Sequence, residues 1–114
     1  MQQRNEMLKY LLDIESIISE LEKIIKHHNS DYNDFQVNFI SIRAVERDLM
    51  IIGEAILKIV KMNEDVNITS AKHIIGLRNL IVHAYDSIDP TALWRILIID
   101  LPVLKQEVKI LKNA

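Results

Sequence analysis

Aliphatic residues recur along this chain at alternating spacings of three and four, and each such run reads as the buried stripe of an α-helix. From Asn5 to about His28 the stripe is Met7, Leu11, Ile14, Ile18, Leu21 and Ile25. From about Phe35 to Met62 it is Phe39, Ile42, Leu49, Ile52, Ile56 and Ile59, widened by Ile51 and Ala55. A third helix opens at Thr69 or Ser70 as N-cap, carries Ile74, Leu77, Ile81 and Ala84, and is ended by Asp86 to Asp89. The fourth begins with Asp89 as N-cap and Pro90 at the first helical position, and buries Leu93, Leu97, Leu101, Leu104, Val108 and Leu111. Isoleucine is β-branched and suits strands, but a period near 3.6 held over so many turns outweighs that preference.

The interruptions are as informative as the stripes. Turn-forming and capping side chains fill His27 to Asp34, and the adjacent histidines there read as a solvated helix end, because neighbouring positions point to different sides and chelate poorly. Asn63 to Asn67 is a polar connector. Pro102 cannot donate to the carbonyl of Ile98, so the fourth helix should bend there. Gly53 costs about 1 kcal/mol relative to alanine within a helix, which predicts that another helix approaches closely at that point. Its neighbour Glu54 could then anchor a basic side chain, with a surface-exposed carboxylate as the equal alternative. The predicted architecture is all-α: an antiparallel four-helix bundle formed by residues 1–114 as one domain.

Composition narrows the chemistry. The chain has 114 residues, 26% of them charged, with two glycines and two prolines, which leaves little room for a loop-rich β fold. A net charge of −2 provides no global basic field for charge-driven nucleic-acid binding. There is no cysteine, which removes disulfides, thiolate nucleophiles and cysteine-based zinc sites and is compatible with a reducing cytosol, the expected location. The first residues lack the apolar run of a secretory signal, and the most apolar window, Ile96 to Leu104, is too short to span a bilayer and contains Asp100.

Candidate chemistry is concentrated in Arg78-Asn79-Leu80-Ile81-Val82-His83-Ala84-Tyr85. Arg78 and His83 are five positions apart, about 140° around a regular helix, so they diverge within one intact helix. Asn79 and His83 share a side, and Asn79 could orient the imidazole; Arg78 and Tyr85 share another. For Arg78 and His83 to meet at one phosphate, either the helix ends near His83 or a second copy of the chain completes the site across a two-fold axis. The reaction that then fits without metal or cysteine is RNA cleavage by the neighbouring 2′-hydroxyl, with His83 as proton acceptor or donor and Arg78 on the phosphate. DNA has no such nucleophile and should resist. From spacing alone an arginine and a histidine at a helix end are more often surface or capping groups, and His73 and Trp94 read as surface and packing residues.

At these residues the chain resembles the HepT-like toxins, a prokaryotic branch of the HEPN superfamily, through their R-x4-H-x-Y motif. Further matches follow in order: Ala44-Val45-Glu46-Arg47 leading to Ile51-Ile52-Gly53-Glu54-Ala55, then Ile74-Ile75-Gly76-Leu77, and Asp89 through Trp94. Together they run from roughly Met7 to Val108, with Ala84 standing where glycine is common. The resemblance implies a HEPN bundle, a homodimer with paired motifs at its interface, and metal-independent endoribonuclease activity without a cofactor. Arg78 and His83 would be catalytic, with Asn79 and Glu54 in support. It also implies a toxin paired with a minimal nucleotidyltransferase antitoxin of the MntA type, which would inactivate it by transferring AMP to Tyr85. A HEPN module that only binds a nucleotide or a partner protein is the alternative, and a plain structural helical dimer would explain the stripes but not the polar set.

Overall fold

The computed structural model describes residues 2–83 and 88–114. The elements are α1 (Gln2–His27), α2 (Tyr32–Gln36), α3 (Phe39–Met62), α4 (Ala71–His83) and α5 (Pro90–Arg95), followed by a π-helical turn (Ile96–Asp100) and α6 (Leu101–Asn113). The fold is all-α, with no strand among the described residues. Four helical arms alternate in direction. The Gln3 amide reaches the Met62 carbonyl, Gly53 lies against Arg78, and Thr69 meets Glu107, so each arm runs back along its predecessor or neighbour. Lys105–Glu22 at 2.7 Å and Lys112–Glu15 at 2.9 Å tie α6 to α1.

The stripes expected from the sequence form the core. Leu11, Ile14, Ile18 and Leu21 of α1, Leu49, Ile52, Ile56 and Ile59 of α3, and Leu93, Leu97, Leu104 and Val108 of the last arm are all buried. Ile74 and Leu77 supply α4's share, and Val45 joins from α3.

Four local expectations change. The expected second helix is two helices, because two caps lie close together. Asp31 accepts from the Asn33 amide at 2.9 Å and starts α2, and Asn38 accepts from the Ser41 amide at 3.1 Å and starts α3. This restart turns Phe35 fully inward and leaves Phe39, placed by the pattern in the stripe, exposed.

His28 is buried rather than solvated. Asn29 and Ser30 adopt positive φ of 53° and 55°, which turns the chain back so that α2 folds over the ring. There His28 Nδ1 lies 2.6 Å from Asp34 Oδ2 and Nε2 lies 2.7 Å from Ser41 Oγ, so both ring nitrogens are satisfied. His27 stays exposed.

Neither Thr69 nor Ser70 caps α4 with its side chain. Thr69 donates its amide at 3.1 Å and its hydroxyl at 2.7 Å to the Glu107 carboxylate of α6, while the buried Ser70 hydroxyl has no partner among the described residues. The expected Asp89 cap does form, accepting from the Thr91 amide at 3.0 Å.

The disturbance expected at Pro102 takes the form of the π turn, in which the Leu101 amide donates back to Ile96. One extra residue in that turn re-phases the helix just where proline removes a donor, and Leu101 and Leu104 stay inward. No described helix is long and apolar enough to cross a membrane.

Candidate functional site

The site is set by the approach of α4 to α3. Gly53 lies so close to α4 that a Cβ there would fall 2.6 Å from Arg78 Cβ and 3.4 Å from the Ile74 carbonyl oxygen. Only glycine fits, which explains the glycine in mid-helix. The contact presses the Arg78 stem against α3 and leaves its guanidinium beside Glu54, the next residue.

Arg78 is held by three hydrogen bonds to two neighbours. Its Nε donates to Glu54 Oε1 at 2.8 Å, Nη2 donates to the same oxygen, and Nη1 donates to Asn79 Oδ1 at 2.8 Å. Three of the five N–H groups of the fork are thereby engaged, leaving two to meet a ligand. Of the two roles open to Glu54 beside Gly53, it takes that of anchoring a basic side chain. It also offsets much of the arginine's charge, so the guanidinium is oriented more than it is left as a bare cation.

Asn79 takes a different position from the one expected. Its carbonyl oxygen is turned to Arg78, not to His83. His83 is exposed on the last described turn of α4 and makes no hydrogen bond among the described residues. Arg78 faces the α3 seam and His83 faces solvent, so within one chain the two do not converge. Tyr85, together with Ala84, lies outside the described residues.

Other elements frame α4. On α3, the exposed Arg43 donates to the buried Glu46 at 2.7 Å, so the pair is half interior. On the opposite flank, α4 stands away from α5 and the π turn, leaving a cleft of about 600 Å³ lined by Gly76, Leu77, Leu80, Ala92, Arg95 and Ile96. His73 is at its mouth, 3.5 Å from Asp100. The sequence carried one signal for this cleft, a second glycine on α4, and that signal does not distinguish a close contact from an open surface. Trp94 packs on Phe35 with ring centres 5.0 Å apart, as a packing residue would. Among the described residues, no three His, Asp or Glu side chains cluster as a metal site requires.

Among the described residues, one ionisable group departs strongly from its ordinary behaviour. Burial pushes the Asp48 carboxyl up from 3.8 to about 6, and the facing Glu20 charge adds to the rise while Arg47 opposes it. Asp48 lies on the α1 side of α3, away from Arg78, and one of its oxygens has no partner among the described residues.

The model of the family described as "Ribonuclease HepT-like" matches residues 7–111. The chain belongs to the HepT-like ribonuclease family. Among the curated relatives of this HepT-like chain, a Methanocaldococcus jannaschii protein named "Putative RNase MJ1380" is 35% identical over 94% of this chain and 97% of its own length. A second from the same organism, "Putative RNase MJ0125", is 30% identical over 96% and 95%. A Caldanaerobacter subterraneus protein, "Putative RNase TTE0752", is 30% identical over 84% and 88%. No solved structure matches the chain significantly.

Proposed function

We propose that this HepT-like chain is a metal-independent RNA endonuclease acting by attack of the neighbouring 2′-hydroxyl, in a site completed by two copies of the chain. The observation that carries this reading is the fixed Arg78 guanidinium, oriented by Glu54 and Asn79 with two N–H groups to spare, on the same short helix as an exposed His83. An imidazole titrating near neutrality can both take and give a proton. One His83 removes the 2′-hydroxyl proton, the 2′-oxygen attacks phosphorus, and the bond from phosphorus to the 5′-oxygen breaks. The second copy's imidazolium protonates that leaving oxygen. Arg78 holds the phosphate and stabilises the charge that grows on its oxygens. The products are a 2′,3′-cyclic phosphate and a 5′-hydroxyl.

The two-copy arrangement is supported by the divergence of Arg78 and His83 around α4 and by the exposed Leu80 and Val82 beside them. In this reading the chain is the toxin of a pair whose partner, a minimal nucleotidyltransferase of the MntA type, silences it by AMP transfer to Tyr85. An added phosphate and adenosine two positions from His83 would obstruct the place where RNA must sit.

Purified protein should cut RNA in EDTA and leave cyclic phosphate ends. His83→Ala and Arg78→Ala should each lower the rate at least about 100-fold with helicity unchanged, and a 2′-deoxy residue at the cut site should block cleavage there. Activity lost on chelation, or retained in both variants, sinks the reading. The cleft between α4 and α5 favours a second one, a HEPN module that binds a nucleotide without catalysis; such a protein would not arrest growth through His83 on overexpression.

A further inference from the structure

The exposed face of α3 carries a row of cations with Arg78 in its midst. At 100° per residue, Arg43, Arg47, Met50, Glu54, Lys58 and Lys61 fall within a sector about 80° wide. Arg43, Arg47, Lys58 and Lys61 are all exposed. Arg47, Lys58 and Lys61 form no ion pair with the described residues, and Arg43 is held by Glu46. Glu54 is the carboxylate that α3 places in this sector, and Arg78 occupies it. Elsewhere the surface mixes both signs and the chain as a whole is acidic, at −2. This face gathers five cations, Arg43, Arg47, Lys58, Lys61 and Arg78, of which Arg43 and Arg78 are paired with carboxylates.

Its geometry suits a polyanion laid along the helix. From Arg43 to Lys61 the row runs roughly 27 Å at 1.5 Å per residue. Arg78, seated opposite Gly53, enters between Arg47 and Lys58, so cations continue on both sides of it. Met50 and Leu57 give the row a partly apolar edge, which suits a strand with exposed bases more than a rigid rod of phosphates. Asp13 of α1 shares a recess with Glu54 and Lys58 and tempers the field at that end. Glu46 does the same at the other end, where it holds Arg43.

We infer that this face of α3 is the track for the phosphate backbone of single-stranded RNA, with the scissile phosphate at Arg78 and the strand running past it both ways. The inference rests on the ribonuclease reading and extends it. A substrate must reach both Arg47 and Lys58, so the enzyme cuts within strands and not at ends.

The test compares two double variants of the full chain, Arg47→Ala/Lys58→Ala on the track and Lys23→Ala/Lys109→Ala off it, which remove the same charge. Each is measured for KM on cleavable RNA and for Kd on a 2′-O-methyl RNA of the same sequence, across a range of salt. The track pair should raise KM and Kd at least about tenfold and reduce the salt slope by about 1.4, the share of two contacts to a single strand. The control pair should leave the slope as it is. Equal effects from the two pairs, or none from the track pair, overturn the track. If the unmodified protein cuts no RNA, the ribonuclease reading falls instead. An RNA that is cut while the track pair binds it undiminished would leave an acidic protein surface as what this face meets.

Discussion

α4 has a glycine on each flank, and the two sit in opposite surroundings. At the α3–α4 seam, Gly53 of α3 leaves no room for even a methyl group beside Arg78. Across the helix, a Cβ on Gly76 would meet nothing within 4 Å, because α4 faces an open cleft there. The first glycine lets two backbones close and so fixes the guanidinium. The second borders an open cleft and brings no described residue close. A glycine in mid-helix is therefore evidence of close approach only on the side where a neighbour exists, and the closed seam is the one that carries the candidate chemistry.

Gly53→Ala tests the closed seam and should have the largest effect. The new methyl would lie 2.6 Å from Arg78 Cβ, an atom too near the backbone to swing aside, so α3 and α4 must separate. Overpacking of this kind costs about 1–3 kcal/mol, and alanine's better helix propensity returns at most about 1. Separation also draws Arg78 away from Glu54. Thermal unfolding should show the lower stability, and RNA cleavage should fall by more than about tenfold, since displacements of about 1 Å at a positioning group have effects of that size or greater. A variant as stable and active as the parent would mean that the seam does not hold the arginine.

This seam was legible in the sequence because two signals coincide. Gly53 announced a close neighbour and Glu54 beside it offered a carboxylate for a cation or for solvent, and Arg78 answers to both residues. The stripes of α1, α3 and the last arm were legible for a similar reason, since one period ran through many turns. Single residues at junctions were not. His28 reads as solvated until Asn29 and Ser30 reverse the chain over it, and left-handed backbone at those two positions leaves no mark in residue spacing. Phe39 fitted the stripe by number but lies beyond a cap that restarts the helix. The role of Asn79 depended on which of two neighbours it would face, and i to i+4 spacing favours His83 where the structure has Arg78. Glu107 is distant from Thr69 in sequence, so no local rule pointed to it as the group that meets α4's start.

The α1 side of α3 buries a charge instead. Asp48 is buried there facing Glu20, and its carboxyl titrates at about 6 instead of 3.8. The folded state thus holds the proton more tightly than the unfolded chain does. The stability this provides is full below about pH 3.8 and is lost as pH rises through about 6. Asp48→Asn removes the titration, so above pH 6 the variant should be more stable than the parent by about 1–2 kcal/mol, part of the full shift being offset because the amide is also incompletely paired. Below pH 4 the difference should vanish. Unfolding midpoints in urea from pH 4 to 8 measure this, and a variant advantage that does not grow with pH would show that Asp48 is not strained by its charge.

The smallest effect belongs to the open seam. Gly76→Ala adds a methyl where nothing within 4 Å opposes it, so helix propensity alone should decide the outcome within one chain. The gain should be about 0.8–1 kcal/mol, or a rise in Tm of about 4 °C for a domain of this length. Cleavage should stay near the parent's, because Arg78 and Glu54 lie on the other flank of α4. A loss of stability that deepens on dilution would break the symmetry between the two glycines differently. It would mean that a second copy crosses α4 at Gly76, and that the seam open in one chain is closed between two.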